Sequence, residues 1–277
     1  MQAYLDNSAT TRCCDRAKER MIRLLTEDYG NPSSLHAMGK TAEDYVREAR
    51  RKIAKTLKAE EKEIVFTSGG TESNNMALFG SLAANPRNGK HIVTTPIEHA
   101  SVYAPICCFK EQGYEITYLN VDSEGKISLS QLKDAVREDT ALVSVMMVNN
   151  EIGTVEPVAA AAQVIKEKNP RTLFHVDAIQ GYGKYRIYPK KTGIDLLSVS
   201  GHKIHAPKGV GFLYIKDKVK VKPFVYGGGQ QNGMRSGTEN VCGISALGEA
   251  AEEAYENFDQ KAEHMAQLRK RFLCGMA

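Results

Sequence analysis

The sequence predicts an α/β domain built on a mostly parallel sheet with helices on both faces, and three features carry that prediction. Short apolar runs of strand length alternate with runs of helical character along most of the 277 residues, the pattern of strands joined by helical crossovers. The strand-length runs around residues 194–199 and 211–215 are apolar enough to be buried. Polar, glycine-containing turns follow several of these runs, and in such sheets the loops at strand ends hold the ligand. The length suits one large domain, or one large and one partial domain.

Taken in order, Tyr4 to Thr11 forms a short polar approach within an N-terminal segment of residues 1–14. A helix is expected from about Asp15 to Thr26, before the breaker cluster Tyr29-Gly30-Asn31-Pro32-Ser33-Ser34. Ala42, Tyr45, Val46, Ala49, Ile53 and Leu57 recur at helical spacing, so Thr41 to Leu57 reads as a long amphipathic helix. Strands are then expected at Glu63 to Thr67, His91 to Thr95 and Ile116 to Val121, followed by helices from Thr71, His99 and Ser130. Further strands follow at Ala141 to Val148, Leu173 to Val176, Leu196 to Val199 and Gly211 to Ile215, with a helix from Pro157 to Lys168. The glycines at 227–229, 233 and 237 mark a loop near the end of the sheet. A helical pattern then runs from Gly243 through Ala246, Ala250 and Ala254 to Phe272. The expected division is a large domain at 15–243 and, at 244–277, a long helix leading into a smaller second domain that is absent.

Composition excludes several function classes. The 37 Lys and Arg against 33 Asp and Glu leave a net charge of +4, with no dense basic block, so nucleic acid is not implied. Apolar runs such as Ala141 to Val148 are far too short to cross a bilayer, and no signal core opens the chain. The cytoplasm is the expected location. The six cysteines, Cys13-Cys14, Cys107-Cys108, Cys242 and Cys274, show no metal-binding spacing, and reduced thiols are expected. His99, His202 and His205 lack partners at zinc spacing, so no metal site is expected.

Four places carry candidate chemistry. Lys203 lies in the polar turn Ser200-Gly201-His202-Lys203 between two apolar runs. A partly desolvated lysine with cationic neighbours holds its proton less firmly and can form a Schiff base, although most turn lysines are simply solvated. Phe66 to Asn74 reads as strand, glycine turn and helix start, which makes either a phosphate site on backbone N–H groups and the Thr71 and Ser73 hydroxyls or an ordinary capped turn. Asp177 ends the apolar strand before Ala178-Ile179-Gln180, where it could face a protonated ring nitrogen or cap a helix. His99 stands at a strand-to-helix junction, as a stacking imidazole or a solvated helix-start residue. Together an amine, a phosphate cradle, a buried acid and a stacking ring point to pyridoxal 5'-phosphate.

The same blocks carry a resemblance. Tyr4 to Thr11, Gly30 to Ser34, Thr67 to Asn74, Glu98-His99, Val148 to Gly153, His175 to Gln180, Ser200 to Lys203 and Arg235 to Asn240 resemble the class V aminotransferase superfamily, and within it the cysteine desulfurases. The resemblance implies pyridoxal-phosphate fold type I and a transferase that takes L-cysteine to L-alanine, passing sulfur to an acceptor or iron–sulfur scaffold protein. It implies that Lys203 carries the cofactor and shuttles protons, that Asp177 holds the pyridine nitrogen protonated, and that His99 stacks on the ring and assists acid/base steps. Gln180 would face the phenolic oxygen and Asn150 the substrate carboxylate and ring edge. Gly70, Thr71, Ser200 and His202 would bind the phosphate. Thr238 would reach the phosphate of the neighbouring subunit in a homodimer.

The family's nucleophilic cysteine and carboxylate-binding arginine lie in a C-terminal region that this chain does not contain, so impaired sulfur transfer is expected. None of the six cysteines is a convincing substitute, Cys242 being the nearest in sequence to a cofactor-binding block. The alternatives are another class V enzyme, such as a selenocysteine lyase or a small-amino-acid aminotransferase, or a non-catalytic scaffold that binds cofactor or partner.

Overall fold

The computed structural model describes residues 3–276; residues 1–2 and 277, at the outer ends of the expected N-terminal segment and C-terminal helix, lie outside them. Two helices come first, α1 (Asp15–Thr26) and α2 (Ala37–Leu57). There follow β1 (Ile64–Thr67), α3 (Gly70–Asn75), a π turn over Met76–Gly80, α4 (Ser81–Ala84), β2 (His91–Thr94), α5 (Ala100–Glu111), β3 (Glu115–Tyr118) and α6 (Leu129–Ala135). The rest is β4 (Thr140–Met146), α7 (Val158–Lys168), β5 (Leu173–Asp177), α8 (Pro189–Thr192), β6 (Leu196–Ser200), β7 (Gly211–Ile215), α9 (Val241–Tyr255) and α10 (Phe258–Met276).

The seven strands form one sheet in the order β1-β7-β6-β5-β4-β2-β3. From β6 to β3 every pairing is parallel, with Leu142 to Met146 opposite Leu173 to Asp177 and His175 to Asp177 opposite Leu196 to Ser198. Only β7 runs against its neighbours, β1 and β6. Residues 201–210 explain this, because they hold a single 3₁₀ turn, while a parallel connection needs a dozen or more residues for its crossover.

Because strand side chains alternate between faces, the sheet is buried on both sides. Ile64, Phe66, Val143, Val145, Leu197, Phe212 and Tyr214 belong to one core, shared with residues of α1, α2, α7 and α9. Val65, Ile92, Leu142, Leu196 and Leu213 belong to the other, with Met76, Leu78, Val102 and Ile106 of the helices after β1 and β2.

The helical pattern expected to run unbroken to Phe272 is two helices. Asn257 takes a left-handed backbone conformation between them, at φ 50°, which ends one helix and starts another. α9 packs against α1 and α2, and its nearly buried Glu249 accepts from Lys52 Nζ at 2.9 Å and also from Arg20 and Arg16. α10 has no buried residue. On packing, we place the proposed end of the large domain at residues 256–257 rather than at 243.

Candidate active site

All parallel strands point the same way, and β1, antiparallel to β7 like β6, shares that direction. The residues that follow the strands therefore gather along one edge of the sheet. Gly70 and Thr71 follow β1, His99 follows β2, Asn150 follows β4, Asp177 and Gln180 lie at or just after the end of β5, and Ser200, His202 and Lys203 do the same at β6. These nine residues line one cleft of about 400 Å³, with Asp6, Ser8 and Ala9 of the N-terminal segment among its other walls. Thr238 is the exception. It lies in a separate hollow with Arg235, Gly237, Glu239 and Asn240.

Lys203 sits on the 3₁₀ turn after β6. Its Nζ donates to the main-chain oxygens of Ala9, at 2.8 Å, and Ser8. Burial pulls its proton affinity below that of an ordinary lysine, against the opposing fields of Asp6 and Asp177. The turn is pinned from the N-terminal segment: Thr11 donates from both N and Oγ1 to the carbonyl of His202, each at 2.9 Å, and Thr10 Oγ1 lies 3.1 Å from His202 Nδ1. Gln180 Nε2 donates to Ser8 O at 2.9 Å. Lys184 is a further contributor that the sequence did not single out. Its Nζ donates to the carbonyl of Lys203 at 3.2 Å, and burial, followed by the charge of Lys203, brings its proton affinity down to about 8.

Asp177 is buried at the end of β5. Oδ1 accepts from the N–H of Ile179 at 3.0 Å and Oδ2 from Asn74 Nδ2 at 2.8 Å. Burial pushes its carboxyl above the usual carboxylate range, with the N–H of Ile179, Asn74, His99 and Lys203 pulling the other way. Among the described residues it has no salt-bridge partner. His99 caps α5: its Nδ1 accepts from the N–H of Ser101 at 3.1 Å and lies 2.8 Å from Ser101 Oγ. Asn74 and Ser101 escaped sequence reasoning. A helix-start Asn and a Ser two places after a His read as capping chemistry, and only the tertiary fold brings them together.

The turn before α3 needs its glycines. Gly69 has φ 149°, which strains any side chain. A Cβ on Gly70 would stand 2.2 Å from Ile179 Cδ1. The first N–H groups of α3 have no acceptor within the helix, as at any helix start, so they face an anion with free donors. A phosphate-bearing pyridine aldehyde fits this donor set, since among the described residues the buried Asp177 lacks a cation and Lys203 holds only main-chain oxygens, and the α3 start offers N–H groups to an anion.

Known proteins agree. The model of the class-V aminotransferase family matches residues 3–277. The chain is 45% identical over 275 residues to cysteine desulfurase IscS of Clostridium botulinum, covering 99% of this chain and 69% of that one. It is 46% identical over 273 residues to cysteine desulfurase IscS of Methanosarcina thermophila, covering 99% and 67%. Among solved structures it superposes on a NifS-like protein with a TM-score of 0.97 at 44% identity, covering 100% of this chain and 76% of the other. For DndA from Streptomyces lividans the TM-score is 0.88 at 40% identity, covering 99% and 78%. On the family match, the identity and the shared fold, this chain belongs to the class-V aminotransferases, among the cysteine desulfurases.

Proposed function

We propose that the chain is a pyridoxal-phosphate-dependent cysteine desulfurase, taking L-cysteine to L-alanine and passing sulfur to an acceptor for iron–sulfur cluster or thiolated-cofactor synthesis. The observation that carries this reading is the convergence of Lys203, Asp177, His99 and the α3 start on one cleft. When bound, pyridoxal phosphate supplies an electron sink for negative charge at the substrate's α-carbon. Lys203, with its weakened hold on a proton, acts as a nucleophilic amine and then carries a proton at Nζ. Asp177 keeps a facing ring nitrogen protonated. His99 stacks and exchanges a proton at Nε2, while Gln180 and Asn150 supply amides to the polar edge. Gly70, Thr71, Ser200 and His202 hold the phosphate.

Sulfur transfer also needs a thiolate that can reach the cleft. Among the described residues the six cysteines are free and lie outside the cleft lining. Burial raises the thiols of Cys13 and Cys242, and that of Cys14 to about 11. Sulfur transfer by this chain alone is therefore read as impaired, and the same observation favours a cofactor-binding scaffold as the second reading. Free thiols support a reducing, cytoplasmic setting. Among the described residues no helix is long and apolar enough to cross a membrane. Thr238, outside its own cleft, is read as serving the neighbouring site of a homodimer.

The test is the visible absorbance of the protein with added pyridoxal phosphate, beside the alanine and sulfide formed from L-cysteine and reductant. The expected result is a visible band in the native chain that Lys203→Ala abolishes; an unchanged spectrum in that variant overturns the assignment. A band without alanine or sulfide selects the scaffold. Selenocysteine or a keto acid used in preference to cysteine selects a different class V activity.

A further inference from the structure

We propose that Asn74 and Ser101 form a one-way hydrogen-bond bridge through which the charge of Asp177 reinforces the tautomer of His99 that the Ser101 N–H selects, making both of them positioning residues for the reaction. Asn74 is fully buried on α3. Its Nδ2 donates to Asp177 Oδ2 and to Ser101 Oγ, each at 2.8 Å, so both amide hydrogens are used. Its Oδ1 is buried and meets no donor among the described residues, a costly arrangement that whatever holds the amide in this direction must offset.

Asp177 fixes it. An ionised carboxylate only accepts, so nitrogen rather than oxygen of the Asn74 amide must face it. The second amide hydrogen then points to Ser101 Oγ. Having accepted that bond, the Ser101 hydroxyl has its one hydrogen left to donate, and His99 Nδ1 is its acceptor at 2.8 Å. The Ser101 N–H reaches the same nitrogen. Nδ1 is thus an acceptor twice over, and the neutral ring carries its hydrogen on Nε2, the nitrogen without a protein partner among the described residues. His99 lines the cleft, so the ring meets any occupant with a defined tautomer. Neutralising Asp177 removes the reason for the amide's direction and loosens the side-chain bonds from Asn74 to Ser101 and from Ser101 to His99, leaving the Ser101 N–H alone on Nδ1.

The hydrogen-bond positions stand on this chain alone; the charge on Asp177 and the importance for the reaction rest on the cofactor assignment proposed above, and the native tautomer and that assignment fail separately. The test is ¹⁵N NMR of the full chain with labelled histidine, before and after loading with pyridoxal phosphate, His99 being assigned by its missing signals in His99→Phe. In the native chain the two ring nitrogens of His99 should be widely separated, Nδ1 as acceptor and Nε2 as N–H. That separation should narrow in Ser101→Ala and in Asp177→Asn, and recover in Ser101→Thr. A native Nδ1–H tautomer, or shifts unchanged in the variants, overturns the proposal. If Ser101→Ala does not fold, the native tautomer and Asp177→Asn decide. Absence of the visible band in the native chain would remove the cofactor assignment and leave the tautomer result standing.

Discussion

Glu98, next to His99, is a carboxyl group with little to hold a charge. Its Oε1 accepts from Thr95 Oγ1 at 2.9 Å and from the N–H of Met146 at 2.8 Å, while Oε2 has no partner among the described residues. Burial pushes its proton affinity from the ordinary 4.5 up to about 8, against the Met146 N–H, with Asp177 adding to the rise. The folded chain therefore keeps this proton through a window in which the unfolded chain has lost it. Stability from this group is present below the lower value and is lost as pH climbs toward the upper one. Glu98→Gln, which cannot ionise, should gain on the native chain by roughly 1 kcal/mol per pH unit across that window. Denaturant unfolding near both ends of the window measures it, and parallel stability curves would refute it. At this scale the sequence shows Lys203, Asp177 and His99, because each stands where an apolar run gives way to a turn. It hides Glu98, Asn74 and Ser101, whose roles depend on neighbours from other strands and helices.

Among the elements, the turn between β1 and α3 is packed against β5, β6 and β7 through absent side chains. A methyl on Gly70 meets the flexible end of Ile179, which lines the cleft, whereas one on Gly211 would stand 2.5 Å from the carbonyl oxygen of Val199 and 2.9 Å from Gly69 Cα. A side chain can swing aside where backbone cannot. Gly70→Ala should therefore weaken pyridoxal phosphate binding by roughly tenfold, about 1.4 kcal/mol, with a smaller effect on folding. Gly211→Ala should chiefly destabilise, by about 1–3 kcal/mol. Cofactor titration and thermal unfolding of the two variants check this, and equal losses in both measurements would contradict it. The strands were legible in the sequence as buried apolar runs, and the helices as periodic ones. The parallel direction of most strands was legible too, from the helical crossovers between them; the reversal at β7 was not singled out, although the brevity of residues 201–210 decides it. The break at Asn257 was hidden too, since apolar spacing continues across it.

For the whole molecule, exposed apolar side chains are scattered from the N-terminal segment to α10. Leu5, Leu35 and Tyr226 are 86%, 106% and 79% exposed, and single exposed apolar residues of this kind are ordinary on a protein surface. Support for the proposed homodimer comes from Thr238, which lies outside its own cleft. Sedimentation of the cofactor-loaded protein should give twice the 30.5 kDa of the chain; a monomer would remove the role assigned to Thr238. Within one chain, the cleft joins residues that are far apart along the backbone. The bonds from Lys203 to Ser8 and from Thr11 to His202 span 195 and 191 positions. Contacts of such separation form late, after the loop-closure entropy has been offset elsewhere. On the ribosome, the first dozen residues must wait until the turn after β6 has left the exit tunnel. The cleft therefore cannot exist before the turn after β6 is made, and cofactor capture follows synthesis of most of the sheet instead of guiding it.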